Sequence, residues 1–135
     1  MIDDAVSAAG ATPPALRALR DVHARYVRQT SCPSDVAILT FDVDPTTGSW
    51  GHPGLWVELA EDVRVIGDTL PVAYLTAFAA GVEEEWERRF SDVPLRAVVT
   101  VTLVKVHPVD SHEGSFRKAG HRAVEAVLGR LAQGV

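Results

Sequence analysis

Cysteine, lysine and methionine are scarce in this sequence, and long apolar runs are missing. A single cysteine, Cys32, in 135 residues excludes an internal disulfide and any zinc site built on several thiolates. One unpaired thiol suits a reducing compartment, so the expected location is the cytoplasm. No apolar stretch approaches the ~20 residues of a membrane-spanning helix. The acidic start Met1-Ile-Asp-Asp4 stands where a secretory signal is basic, so no membrane association is expected. The Gly-x-x-x-x-Gly-Lys-Ser/Thr cradle for nucleotide phosphates does not occur, nor does His-Glu-x-x-His or a Gly-x-Ser-x-Gly elbow. The expectation is therefore a non-enzymatic chain that takes no nucleotide, metal or other cofactor. Only Lys105 and Lys118 are lysines, so arginine carries nearly all the positive charge. A net charge of −5 excludes a global field that draws the chain onto nucleic acid and leaves local basic patches to do so.

What is present describes a folded domain. A hydrophobic fraction of 47% against 23% charged residues suffices for a core, and this length suits one domain. Residues 1–14, through Ala8-Ala-Gly-Ala-Thr-Pro-Pro14, are small and turn-prone, and predict a flexible lead-in to one domain over 15–135. Leu16, Leu19 and Val22 recur at helical spacing and predict a short helix. From His23 to Thr30 the pattern alternates, predicting a strand. Ser31-Cys-Pro-Ser-Asp35 has turn chemistry, and Val36–Val43 returns as a second strand of a hairpin. After the glycine- and proline-rich loop Pro45–Gly54, extended segments at 55–59 and 63–66 are interrupted by Glu61-Asp62.

Asp68 or Thr69 is placed to cap a helix with Pro71 in its first turn. Its expected apolar stripe is Leu75, Phe78, Ala79, Val82 and Trp86, with Glu83–Glu85 in solvent. Gly81 within it lowers helix propensity by ~1 kcal/mol, which predicts close packing of backbone on a neighbour. Leu95–Val106 is rich in β-formers on both faces, the mark of a central strand. Phe116, Ala119, Gly120, Ala123, Val124, Val127, Leu128 and Leu131 then follow a 3.6-residue period. The order βββαβα predicts an α+β two-layer sandwich, with two helices over one sheet.

The densest polar stretch is His107-Pro-Val-Asp-Ser-His-Glu113. Asp110 followed three residues later by Glu113 has the spacing of a capping box, and predicts the start of the last helix. A metal or acid–base site at His107, Asp110, His112 and Glu113 is an alternative, although no helical i, i+4 spacing makes its ligands converge. Trp50 and Trp56 are candidates for a protein interface, since tryptophan favours binding hot spots. Cys32, Trp50 and His52 are otherwise explained by turn and loop chemistry.

The segment Val106-His-Pro-Val-Asp-Ser-His-Glu-Gly-Ser-Phe-Arg-Lys-Ala-Gly120 resembles one in domain IV of translation elongation factor G, Tyr-His-Asp-Val-Asp-Ser-Ser-Glu-x-Ala-Phe-Lys-x-Ala. Leu70-Pro-Val-Ala-Tyr-Leu-Thr-Ala-Phe-Ala-Ala-Gly-Val82 is similar to that family's Val-Pro-Lys-Glu-Tyr-Ile-Pro-Ala-Val-x-x-Gly-Ile. Tyr26-Val-Arg-Gln-Thr30 is similar to its Phe-Ile-Arg-Gln-Thr, and Leu39–Val43 to the strand that follows. The resemblances keep the family's order over residues 22–131.

The resemblance implies a sandwich with a left-handed βαβ crossover, and a stand-alone module whose tip loops contact the ribosome or rRNA. By match, His107 stands where the second tip loop carries its histidine, with Asp110, Ser111 and Glu113 at that loop's base. Arg28, Gln29 and Thr30 match the stem of the first loop. Arg25, Lys105, His112, Arg117 and Lys118 add candidate contacts around these positions. In the first loop, Ser31-Cys-Pro-Ser-Asp35 replaces Gly-Gly-Arg-Gly-Gln-Tyr-Gly-His. Leu103-Val-Lys-Val-His107 is two residues shorter than its counterpart, Leu-Tyr-Asp-Gly-Ser-Tyr-His. The expected partners are the ribosome or rRNA, with a protein partner as the alternative.

Overall fold

The computed structural model describes residues 11–28, 35–46 and 54–133. Gln29, Thr30, Cys32, Trp50 and His52 lie outside these described residues, as do residues 1–10 of the lead-in. The elements are β1 (Leu19–Arg28), β2 (Asp35–Pro45), β3 (Leu55–Ile66), α1 (Val72–Arg89), β4 (Ala97–Lys105) and α2 (Glu113–Ala132). The order βββαβα is the one the sequence predicts.

The strands form one sheet in the order β1-β2-β4-β3. β1 pairs antiparallel with β2 and β2 with β4, whereas β3 lies parallel to β4. Parallel neighbours need a crossover, and α1 supplies it. β4 is flanked by a strand on each side, the central position that its run of β-formers predicts.

Both helices cover one face of the sheet. Ala37, Leu39, Phe41 and Val43 of β2 point into the core at every second position, together with Ala97, Val99, Val101 and Val104 of β4. Phe78 and Trp86 of α1 and Phe116 and Val124 of α2 meet them. The Phe41 and Phe78 rings pack edge to face with centroids 6.0 Å apart. Phe41, Phe78 and Phe116 are fully buried, and truncating any of them to alanine typically costs ~3–5 kcal/mol. Among the described residues no helix is long and apolar enough to cross a membrane.

Several local expectations are corrected. The helix expected at Leu16–Val22 does not form, because Leu19 and Val22 lie on β1 and both are buried. Their odd spacing is reconciled with a strand by an irregularity between them, where Asp21 adopts φ 55° and its N–H donates to Asp42 Oδ1 at 3.0 Å. Glu61-Asp62 does not end β3; the strand continues, and its pairing with β4 jumps from Leu59↔Val101 to Arg64↔Leu103. Residues 60–63 bulge out, which lets two charges interrupt the apolar pattern without breaking the strand.

Neither Asp68 nor Thr69 caps α1; Pro71 occupies the N-cap without a side-chain hydrogen bond. Gly67, at φ 102°, instead takes the tight corner, where an added Cβ would lie 2.1 Å from the Val106 carbonyl oxygen. Glu85, expected in solvent, is buried and held by two arginines of its own helix. Arg89 Nε is 2.6 Å from its Oε2, and Arg88 Nε is 3.0 Å from Oε1.

Candidate functional site

The hairpin end of β1–β2 and the turn between β4 and α2 meet at one end of the molecule. The Val36 N–H donates to the Asp110 carbonyl at 3.0 Å, tying the base of the first loop to the second. Ser111 is the hinge of this contact. Its hydroxyl accepts from the His107 N–H at 2.8 Å and donates to the Val36 carbonyl at 2.7 Å, and it is buried. The Ser111 N–H closes the turn onto the His107 carbonyl at 3.0 Å. From α1, the Tyr74 hydroxyl donates to the Ser111 carbonyl at 2.8 Å, while its ring stacks on Phe116 with centroids 4.8 Å apart. The turn at 107–112 is therefore gripped by β2, α1 and α2 together.

The cap of α2 is shifted from the expected one. His112, not Asp110, is the N-cap residue, and its N–H donates to the Ser115 hydroxyl at 3.3 Å. Ser115, not Glu113, thus stands at the third helical position of the box. Glu113 opens the helix, where its charge complements the macrodipole. Asp110 contributes its backbone, because its carbonyl is already bonded to Val36.

Asp35, expected in a turn, organises the site. Its Oδ1 accepts a hydrogen bond from His112 Nε2 and lies 3.3 Å from the Ser115 hydroxyl. The loop replacement that introduces this acid is its only signal in the sequence. The group does not form a hydrolytic triad. The carboxylate sits between histidine and serine, so no imidazole faces the hydroxyl, and Ser115 is fully buried.

The metal constellation does not assemble among the described residues. His107 turns to its own backbone while His112 turns to Asp35, and among the described residues no group of three His, Cys, Asp or Glu could hold a metal ion. His107 Nδ1 accepts from the Asp110 N–H at 3.1 Å and from the Val109 N–H at 3.3 Å. Backbone N–H groups only donate, so in the neutral ring the proton sits on Nε2. Asp110 Oδ2 lies 3.4 Å from Nδ1, close enough for an ion pair only if the ring is doubly protonated. The His107 side chain is 50% exposed and Val109 is 81% exposed, so both project from a fixed turn.

The remaining candidates separate. Arg28 ends β1 opposite Asp35 and is exposed beside the tip. Lys105 ends β4 on the sheet, paired with Ile38 and Ile66. Arg117 faces α1, where its Nε lies 2.9 Å from Glu84 Oε2, and His121 Nε2 lies 3.0 Å from Glu84 Oε1. Hydrogen bonding from Arg117, then from His121, holds the Glu84 carboxyl at about 2. Lys118 lies on α2 in a shallow groove with Tyr26, Glu85 and Arg88. Arg28, His107, Asp110, Ser111 and His112 thus share one end, and Arg117 and Lys118 belong to the helical face.

No family model matches the chain. Elongation factor G of Dehalococcoides mccartyi is 28% identical over 118 residues, covering 86% of this chain and 16% of that protein. A solved structure from Thermus thermophilus superposes with a TM-score of 0.62 over 88% of this chain and 18% of that one, at 19% identity. The chain is similar in sequence to a part of elongation factor G and shares the fold of the Thermus thermophilus structure. It spans 16% of the length of the elongation factor it matches. Residues 29–34, where the resemblance puts the first loop, lie outside the described residues.

Proposed function

We propose that this chain is a non-catalytic, translation-associated module of the cytoplasm that binds the ribosome or rRNA through its tip. The observation that carries this reading is the tip's construction. A buried serine, Ser111, joins the bases of both loops and holds a half-exposed imidazole, with Nε2–H as its outward donor, at the end of a rigid turn. A fixed donor beside the exposed Arg28 suits phosphate and sugar oxygens. The resemblance to elongation factor G supports the same partner class.

The test is cosedimentation with host ribosomes across a salt series, for the natural chain and a His107→Ala variant. The expected result is binding at low salt that weakens with salt and with the substitution. Free protein at every salt would overturn the proposal.

A second reading, a protein-interaction module, draws on β3. Trp56, Leu59, Val65 and Ile66 are exposed apolar residues on this edge strand, and an open edge is a template for a partner's strand. Capture of a defined protein partner that Trp56→Ala abolishes would favour it.

A further inference from the structure

The sheet face opposite the helices carries its charges in two separate sets. Alternation turns Arg25 of β1 and Lys105 of β4 onto this face, since Ala24, Val104 and Val106 beside them are buried on the other, and Arg64 of β3 joins them through its pairing with Leu103. Arg25 pairs across Ile38 with Lys105, and Arg64 pairs with Leu103 in the adjoining row. Arg25 and Lys105 are two strands apart, about 10 Å. This set adjoins the tip, for Lys105 precedes His107 by only Val106. At the far end of the same face, Asp42 pairs across Thr100 with Glu58, and Asp44 follows in the next row.

The two sets differ in what they are bonded to. Each carboxylate has a donor from its own chain: Arg20 Nη2 lies 2.8 Å from Asp44, the Asp21 N–H 3.0 Å from Asp42, and Trp56 Nε1 3.0 Å from Glu58. Arg25, Arg64 and Lys105 make no hydrogen bond or ion pair among the described residues. Two copies packed face to face would offer these cations the engaged carboxylates of Asp42, Asp44 and Glu58. A phosphate backbone meets the cations alone and is turned away from the acidic end.

We propose that Arg25, Arg64 and Lys105 form an RNA-backbone track on the open sheet face, continuous with the tip. The inference rests on the RNA reading of the tip and extends it to a second surface. Ile38 and Leu103 between the cations are aliphatic, so the charges of the track are what meets the phosphates.

The test measures anisotropy of a short fluorescein-labelled single-stranded RNA against salt. It uses the natural chain, the triple variant Arg25→Gln/Arg64→Gln/Lys105→Gln, His107→Ala, and a charge-matched control, Arg96→Gln/Arg122→Gln/Arg130→Gln. The triple variant is expected to make the slope of log affinity against log salt shallower by about 2, while the control and the uncharged His107→Ala leave it unchanged. Circular dichroism and thermal unfolding confirm that each variant is folded. An unchanged slope in a folded triple variant overturns the track, and if His107→Ala still weakens binding the tip reading survives it. A weakened triple variant beside an unaffected His107→Ala keeps the track and removes the tip. No binding by the natural chain, or sedimentation showing a dimer that the triple variant dissociates, overturns the inference.

Discussion

Gly81 and Gly120 meet where the two helices touch backbone to backbone. A Cβ on Gly120 would lie 2.4 Å from the Phe78 carbonyl oxygen and 2.9 Å from the Gly81 carbonyl carbon, and one on Gly81 would lie 2.0 Å from the Arg117 carbonyl oxygen. The obstructing atoms are backbone, which cannot rotate away as a side chain does.

Alanine at either position therefore opposes its own helix propensity. Gly81→Ala and Gly120→Ala are each expected to destabilise the fold by about 1–3 kcal/mol or more, by forcing the helices apart. Gly129 in the same helix as Gly120 has nothing within 4 Å of an added Cβ. Gly129→Ala is expected to stabilise by up to ~1 kcal/mol. Urea unfolding of the three variants reads the opposite signs, and equal signs would refute the crossing.

Ser111→Ala should loosen the tip more than its size suggests. The substitution leaves the His107 N–H and the Val36 carbonyl without their partner in a part-buried setting, a loss of about 1–3 kcal/mol. Amide exchange at His107 and Val36 should accelerate beyond exchange at the centre of β2. Uniform protection across β2 would show that the hydroxyl does not hold the loops together.

Stability should fall in acid through Glu85. Hydrogen bonding from Arg88 lowers this carboxyl from 4.5 to about 2, against the opposing effect of burial. A depressed folded-state value means that the contribution is complete above pH 4.5 and is lost as pH falls toward 2. Glu85→Gln is expected to cost about 2 kcal/mol at neutral pH. The gap between variant and natural chain should narrow on acidification, and a gap independent of pH would refute the assignment. Glu84 is held as low, but its side chain is 42% exposed, so solvent screens its pairing and Glu84→Gln should cost less.

His107→Ala should leave stability nearly unchanged, within about 0.5 kcal/mol, because the ring is an exposed acceptor of local N–H groups. The same variant is the one expected to weaken ribosome binding. A large loss of stability would mean that the histidine is structural.

The regular elements were legible because periodicity reports burial directly. Val99, Val101 and Phe116 are apolar at positions that point inward whatever the partner is. The errors share one cause. Leu19 and Val22 have helical spacing because a bulge in a strand displaces one residue, and nothing local distinguishes that from a turn of helix. Glu85 looks like its neighbours Glu83 and Glu84, and only packing against α2 buries it. The polar turn His107–Glu113 stands out in the sequence, but the tie of Asp35 to His112 and Ser115 does not, since those partners are far along the chain.

The sequence alone determined the order of elements, the inward-facing residues and the contact that a glycine in α1 demands. Each of these follows from local propensity or from a repeat that one segment carries within itself. Tertiary structure alone decided which residue caps α2, that Asp35 joins His112 and Ser115, that Arg117 turns to Glu84, and that the cations and carboxylates of the open face stand apart. These depend on distances between residues remote in the chain, and the folded backbone sets those distances.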